Sequence, residues 1–267
     1  MKKYYSLFRI RLLDRIQYRV IAFGVVLSNF IWVFMELMMY VAIYQSTDKT
    51  LPMSFPQIVS YVWIKRMAMQ MLAVVAADNE IYSVINDGSI AYELVRPIDL
   101  YGKWYFQAMS NRLTSILVSC LPILVIAFLL PDPFKLCLPI SILQFVEFLV
   151  ALILALGVVV SFAMLMFITL FYTIAQRGIK IIVTATVSFL SGGIIPLTFF
   201  PEQLKAILYA LPFSSMQSTP LLIYSGNLIG KDALIAIGFQ IFWLIILFLL
   251  GKVLMTYSLK KVIAQGG

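Results

Sequence analysis

Asp78-Asn79-Glu80-Ile81-Tyr82, followed by Asp87-Gly88-Ser89-Ile90-Ala91-Tyr92-Glu93-Leu94-Val95-Arg96-Pro97-Ile98-Asp99, carries the one long polar interruption, from Ala77 to Lys103, in a sequence that is 62% hydrophobic. Gly88 supplies a turn, Ser89 is placed to cap a following helix, and Pro97 stops that helix because it has no amide hydrogen to donate. The pattern predicts a short helix between two apolar runs. Its surface mixes charge (Glu93, Arg96, Asp99) with Ile90, Tyr92 and Leu94, which suits docking; the same residues also fit a solvated loop.

Working outward, the chain of 267 residues has only 12% charged residues and a mean hydropathy of +0.98. Soluble domains carry roughly a quarter charged residues, so the composition predicts an all-α polytopic membrane protein. The net charge of +8 flanks apolar runs, the positive-inside pattern, and does not form a nucleic-acid-binding face. Cys120 and Cys137 have no metal-type spacing and read as small hydrophobes. Histidine is absent, which removes Ser-His and Cys-His catalysis and histidine metal sites. After the basic Met1-Lys2-Lys3 no small-residue cleavage site follows the first apolar run, so that run is expected to be retained as a span.

Residues 2–19 show Tyr5, Phe8, Leu12 and Ile16 at helical spacing beside Arg11, Arg15 and Arg19, the mark of an amphipathic helix lying in the membrane interface against lipid headgroups. Spans are then expected at about 20–44, carrying Glu36, and at about 55–76, carrying Lys65 and Arg66. A third begins near Trp104 or Tyr105 and ends at the turn Pro131-Asp132-Pro133. The run from Cys137 to Tyr172 is roughly 36 residues, or about 54 Å as one helix against a hydrocarbon core of about 30 Å. It must overhang, break near Gly157 or fold back.

Positive residues favour one long or broken fourth helix. Six spans with both termini cytoplasmic put about 14 of the 20 basic residues inside, Arg112 among them, and about four outside. The fifth span starts near Lys180 and runs into Ser191-Gly192-Gly193; the sixth covers about 233–255. Between them, Pro196, Phe200-Pro201, Leu211-Pro212-Phe213, Pro220 and Gly226 interrupt an apolar sequence, which predicts half-inserted helices at the outer face, with a plain outer loop as the alternative.

Two partial motifs mislead. Leu190-Ser191-Gly192-Gly193 begins like the signature of an ATP-binding-cassette ATPase but continues with Ile194, and reads as a helix end. Gly226 to Lys231 has one spacer too few for a P-loop and Asp232 where the magnesium-binding hydroxyl belongs. Charges within spans are functional candidates because each is costly there. Lys65, Arg66 and Glu147 are expected at similar depth, with Glu147 pairing Lys65 or Arg66 either to fix helix register or to line a substrate path, and with Glu36 nearer the outer interface.

The basic entry helix, the six spans, Ile90-Ala91-Tyr92-Glu93-Leu94-Val95-Arg96-Pro97 and the Ser191-Gly192-Gly193 to Leu211-Pro212-Phe213 segment resemble the permease subunit of bacterial type-2 ATP-binding-cassette exporters over essentially the whole chain. The resemblance implies a single permease domain over residues 1–267, with an elbow helix at 2–19, a cytoplasmic coupling loop at 77–103, and an outer re-entrant hairpin and loop at 191–226. Asp87, Gly88, Ser89, Ala91, Tyr92, Glu93, Leu94, Arg96 and Pro97 would form the ATPase-coupling helix. Gly192, Gly193, Pro196, Phe200, Pro201 and Pro212 would form the outer hairpin. The implied partners are two cytoplasmic ATPase subunits, which would bind ATP and Mg, and a second permease, identical or homologous, in a bacterial plasma membrane. The chain itself would be no enzyme and bind no cofactor. Two other classes fit the sequence less fully: an ion-coupled transporter using Glu36, Lys65, Arg66 and Glu147, and a non-transporting assembly or immunity protein.

Overall fold

The computed structural model of the chain describes residues 19–47, 50–74, 78–86, 88–95, 99–173 and 176–260. The interfacial helix expected at 2–19 lies outside them apart from Arg19. Among the described residues every regular element is helical. Six long helices make the body: α1 (Arg19–Ser46), α2 (Phe55–Leu72), α5 (Leu100–Leu129), α6 (Ile142–Thr169), α7 (Gln176–Leu190) and α11 (Lys231–Leu259). Between α2 and α5 lie the short helices α3 (Asn79–Asn86) and α4 (Ile90–Leu94). Between α7 and α11 lie a 3-10 turn (Leu197–Phe199), α8 (Glu202–Ala210), α9 (Pro212–Met216) and α10 (Ser218–Tyr224).

Local chemistry sets the helix ends. The Ser54 amide donates to Gln57 Oε1 (2.8 Å), and Pro56 occupies the first turn of α2, where no amide donor is needed. Asp99 Oδ2 accepts from the Gly102 amide (3.0 Å), so α5 starts at Leu100, ahead of the expected Trp104. Ser141 Oγ accepts from the Gln144 amide (3.1 Å), while Gln144 Oε1 accepts from the Ile140 amide (2.9 Å). Ser141 thus caps α6, which begins at Ile142, and the Gln144 side chain ties back to the residue before the cap.

The run from Cys137 to Tyr172 is therefore a single helix of 28 residues, about 42 Å long, preceded by a non-helical segment. That segment is held to the bundle: the Leu136 side chain is buried, its amide donates to Ala127 O (2.9 Å), and Trp63 Nε1 donates to Phe134 O (2.9 Å). Burial of the Leu136 side chain replaces the extra helical turn that apolarity alone suggested.

α6 is the centre of the bundle. It packs most extensively on α11 and also on α10 and α5, and its buried face carries Ala151, Ala155, Gly157, Ser161 and Ala163. Small residues four apart let membrane helices approach closely. A Cβ on Gly157 would stand 2.9 Å from Leu244 Cδ1 of α11, which measures how tight that approach is. Gln240, also on α11, is buried and donates to Ala151 O and Ser215 O, both at 3.0 Å.

Polar contacts show which ends meet. At one end Gln57 Nε2 donates to Gly226 O (3.3 Å) and the Tyr224 hydroxyl to Cys137 O (3.1 Å). At the other, the Tyr172 hydroxyl donates to Ser258 Oγ (2.9 Å) and Lys180 Nζ lies 3.1 Å from the centroid of the Tyr82 ring. The α3–α4 stretch and the short helices between α7 and α11 thus occupy opposite ends of the bundle.

Candidate functional site

At the end of the bundle that carries α3 and α4, the polar stretch from Asn79 to Asn86 folds as an amphipathic helix, α3, and not as a loop. Its buried Ile81 and Tyr82 face the bundle, and the Tyr82 ring meets Phe167 of α6 edge-on at 5.1 Å. Trp104 stacks on Phe171 at 6.2 Å beside it. Burial pushes the Tyr82 phenol well above its ordinary range, so the ring stays neutral under Lys180. Lys103 pairs with Glu93, and Gln107 Nε2 donates to Glu80 Oε2 (2.7 Å), tying α4 and α3 to the first turns of α5.

The anchor of this end is Arg112. It was expected among the inner-surface charges, but its side chain and that of Asp78 are both wholly buried. Nη1 and Nη2 donate to the two Asp78 carboxylate oxygens (3.0 and 2.7 Å), and Nη2 also donates to Val74 O (2.9 Å) just past the end of α2. Burial pushes the Asp78 carboxyl up, and the Arg112 guanidinium opposes that shift. One side chain of α5 therefore satisfies both the exit from α2 and the entry to α3. Its sequence signal was depth: Arg112 lies twelve residues into α5, about 18 Å from the helix start, too far in for a surface charge.

α4 itself spans Ile90–Leu94. Ile90 is buried, whereas Tyr92 and Val95 are 79% and 84% exposed and Leu94 is exposed. Gly88 has φ of +69°, the left-handed turn expected of it. Ser89 precedes the helix, but its hydroxyl makes no cap hydrogen bond, a departure from the expected cap. Asp87, Arg96 and Pro97, and the side chain of Ala91, lie outside what the structure describes.

At mid-bundle, Lys65 pairs with Glu36. The expected partner, Glu147, makes no ion pair among the described residues. Helix ends explain the difference. Glu36 lies ten residues before the end of α1 and Lys65 ten residues after the start of α2, both about 15 Å in, whereas the later start of α6 leaves Glu147 only about 8 Å from its end. Arg66 Nη1 donates to Met69 Sδ (3.1 Å) and its Nε is buried without a partner; the Tyr40 hydroxyl on α1, whose ring packs on Phe199, is also buried and unpartnered.

At the hairpin end, Gly192 has φ of +80° and closes α7. The Gly193 amide donates to Ser188 O (2.9 Å) and the Gly192 amide to Phe189 O (3.4 Å), a Schellman motif. The partial ATPase signature is thus a helix end. The Tyr61 hydroxyl donates to Gly192 O (2.9 Å) and Ser191 Oγ to Gln217 Oε1 (3.0 Å), locking the turn onto α2 and α10. Pro196 precedes the 3-10 turn, Phe200 follows it, Pro201 starts α8 and Pro212 starts α9. A second Schellman motif at Gly226, with the Asn227 amide donating to Leu222 O (2.9 Å), ends α10, so the P-loop look-alike is the turn into α11.

Three helical segments, Val26–Ser46, Ile142–Thr169 and Lys231–Leu259, are long and apolar enough to cross a membrane. Among the described residues no cluster of three or more Cys, Asp or Glu could hold a metal ion. No curated protein matches the sequence. The family described as ABC-2 family transporter protein matches residues 30–266, which take in α2 to α11 and the Lys65–Glu36 pair. The chain belongs to this family of membrane transport permeases.

Proposed function

We propose that the chain is the membrane-spanning permease of an ATP-driven exporter and works with ATPase subunits. The observation that carries this reading is α4: a short helix with Tyr92, Leu94 and Val95 exposed, mounted on a scaffold fixed by the buried Asp78–Arg112 pair. A loop with no partner gains little from so rigid a base, whereas a docking helix must hold its orientation under load.

In this reading α1, α2, α5, α6, α7 and α11 are six spans, with both termini and the α3–α4 loop in the cytoplasm of a bacterial plasma membrane. The segment 191–226 forms an outer re-entrant hairpin and loop. Two ATPase subunits and a second permease, identical or homologous, complete the complex. The chain carries no enzymatic activity or cofactor of its own; ATP and Mg bind the partner. ATP-driven closure of the ATPase dimer presses on α4, and Arg112 passes that displacement to α5 and to the end of α2, because a doubly bonded buried pair cannot yield independently.

Affinity purification of the tagged chain from native membranes, followed by mass spectrometry, tests this. Recovery of an ATP-binding-cassette ATPase in near-equal amount is the expected result, and the number of distinct permeases distinguishes a homodimer from a heterodimer. Recovery without any ATPase, under conditions that preserve comparable complexes, overturns it.

A further inference from the structure

We propose that Arg66, set beside the Lys65–Glu36 pair, binds the anionic group of the exported substrate, an amphipathic molecule carrying a phosphate, sulfate or carboxylate. The inference rests on the permease reading above and adds the substrate's charge to it.

The charges do not balance. Glu36 provides one carboxylate and pairs with Lys65, so Arg66 is left as a surplus cation; Glu36 is its electrostatic neighbour as well, but a single carboxylate cannot neutralise two cations. Arg66 has used one donor on a thioether, a weak acceptor, and its buried Nε on nothing. Buried donors are normally satisfied, so an unspent one on a surplus cation points to an acceptor-rich ligand.

Depth argues against a lipid-facing role. Arg66 lies about 16 Å from the outer end of α2 and about 9 Å from its inner end, and intramembrane arginines face protein or a water-filled cavity. The single chain leaves the Arg66 side chain half-buried, so that face is covered by water, substrate or the second permease. The apolar part of the ligand has a suitable surface: Met69 beside the guanidinium and Met39, one turn from Glu36 on α1, are both exposed. Methionine side chains adapt to varied apolar shapes.

The test uses the full-length chain in membranes with Cys120 and Cys137 replaced by Ser. Arg66→Cys should react with the membrane-impermeant anion methanethiosulfonate ethylsulfonate, while Ile153→Cys, on the outward face of α6, should not. A lipid-facing or partner-covered Arg66→Cys would stay unmodified and overturn the proposal. The purified chain in lipid nanodiscs should then bind the amphipathic anion 1-anilinonaphthalene-8-sulfonate about tenfold more weakly as Arg66→Gln and within about threefold of wild type as Arg66→Lys. Equal binding by all three overturns the anion assignment even if the cysteine is accessible. Co-purification of the ATPase with Arg66→Gln separates these outcomes from failure of the permease reading itself.

Discussion

Both terminal nitrogens of Arg112 donate to both carboxylate oxygens of Asp78, at 3.0 and 2.7 Å, in a setting where neither side chain touches solvent. The pair joins the middle of α5 to the connection between α2 and α3. Removing one partner strands the other charge. Arg112→Met should therefore destabilise the chain by about 3–5 kcal/mol, whereas Asp78→Leu combined with Arg112→Met should recover most of that loss. Thermal unfolding of the purified variants in one detergent checks both; a double variant as unstable as the single one would show that the hydrogen bonds to Val74 O and Ala73 O carry the anchor instead.

The Lys65–Glu36 pair makes a second, separable prediction. Glu36→Gln leaves Lys65 without its carboxylate and should cost about 2 kcal/mol or more, while Glu147→Gln should change stability by less than about 0.5 kcal/mol. The same unfolding assay ranks the two. A larger effect at Glu147 would restore the pairing that the sequence suggested.

Apolarity made the long helices legible, and turn chemistry made the breaks after α7 legible: Pro, Gly and apolar residues between Ser191 and Gly226 do end up as a series of short helices. What the sequence concealed depended on where helices end. A one-turn displacement in the start of α6 moved Glu147 out of reach of Lys65, and the full length of α1 brought Glu36 level with it. Helix α3 was hidden because eight amphipathic residues within a polar stretch look like loop until Phe167 of α6 is placed against Tyr82. Arg112 was hidden by its own charge, since counting basic residues by side of the membrane tallies a cation on the inner half of a helix whether or not it is buried.

The turn at Gly192 and Gly193 combines backbone and packing requirements. A Cβ on Gly192 would lie 3.0 Å from the Tyr61 hydroxyl with φ at +80°, and one on Gly193 would lie 2.8 Å from Gln217 Oε1 and 2.9 Å from Ser188 O. Gly192→Ala should cost about 1–2 kcal/mol through the left-handed backbone alone. Tyr61→Phe, which removes only the hydrogen bond to Gly192 O, should cost about 1 kcal/mol. Proteolysis of membranes from the hairpin side reads the consequence: faster cleavage between Gly192 and Gly226 in both variants, with cleavage at the α3–α4 end unchanged. Equal acceleration at both ends would mean that the whole bundle, and not the turn, had loosened.

Exposure divides α4 into a face that holds the chain and a face free to meet a partner. Ile90 is buried against the bundle, so Ile90→Asp should reduce the folded fraction whatever the partner does. Tyr92 and Val95 project outward, and substitution there removes no packing within the chain. Tyr92→Ala with Val95→Ala should leave the unfolding temperature unchanged and weaken ATPase recovery by about tenfold or more, since exposed aromatic anchors dominate helix-in-groove docking. Quantifying the ATPase-to-permease ratio after purification at several salt concentrations separates the apolar contribution from Glu93, whose carboxylate is already engaged by Lys103. A normal ratio in the Tyr92 and Val95 double variant, with Ile90→Asp unfolded, would place the ATPase contact elsewhere on this end of the bundle.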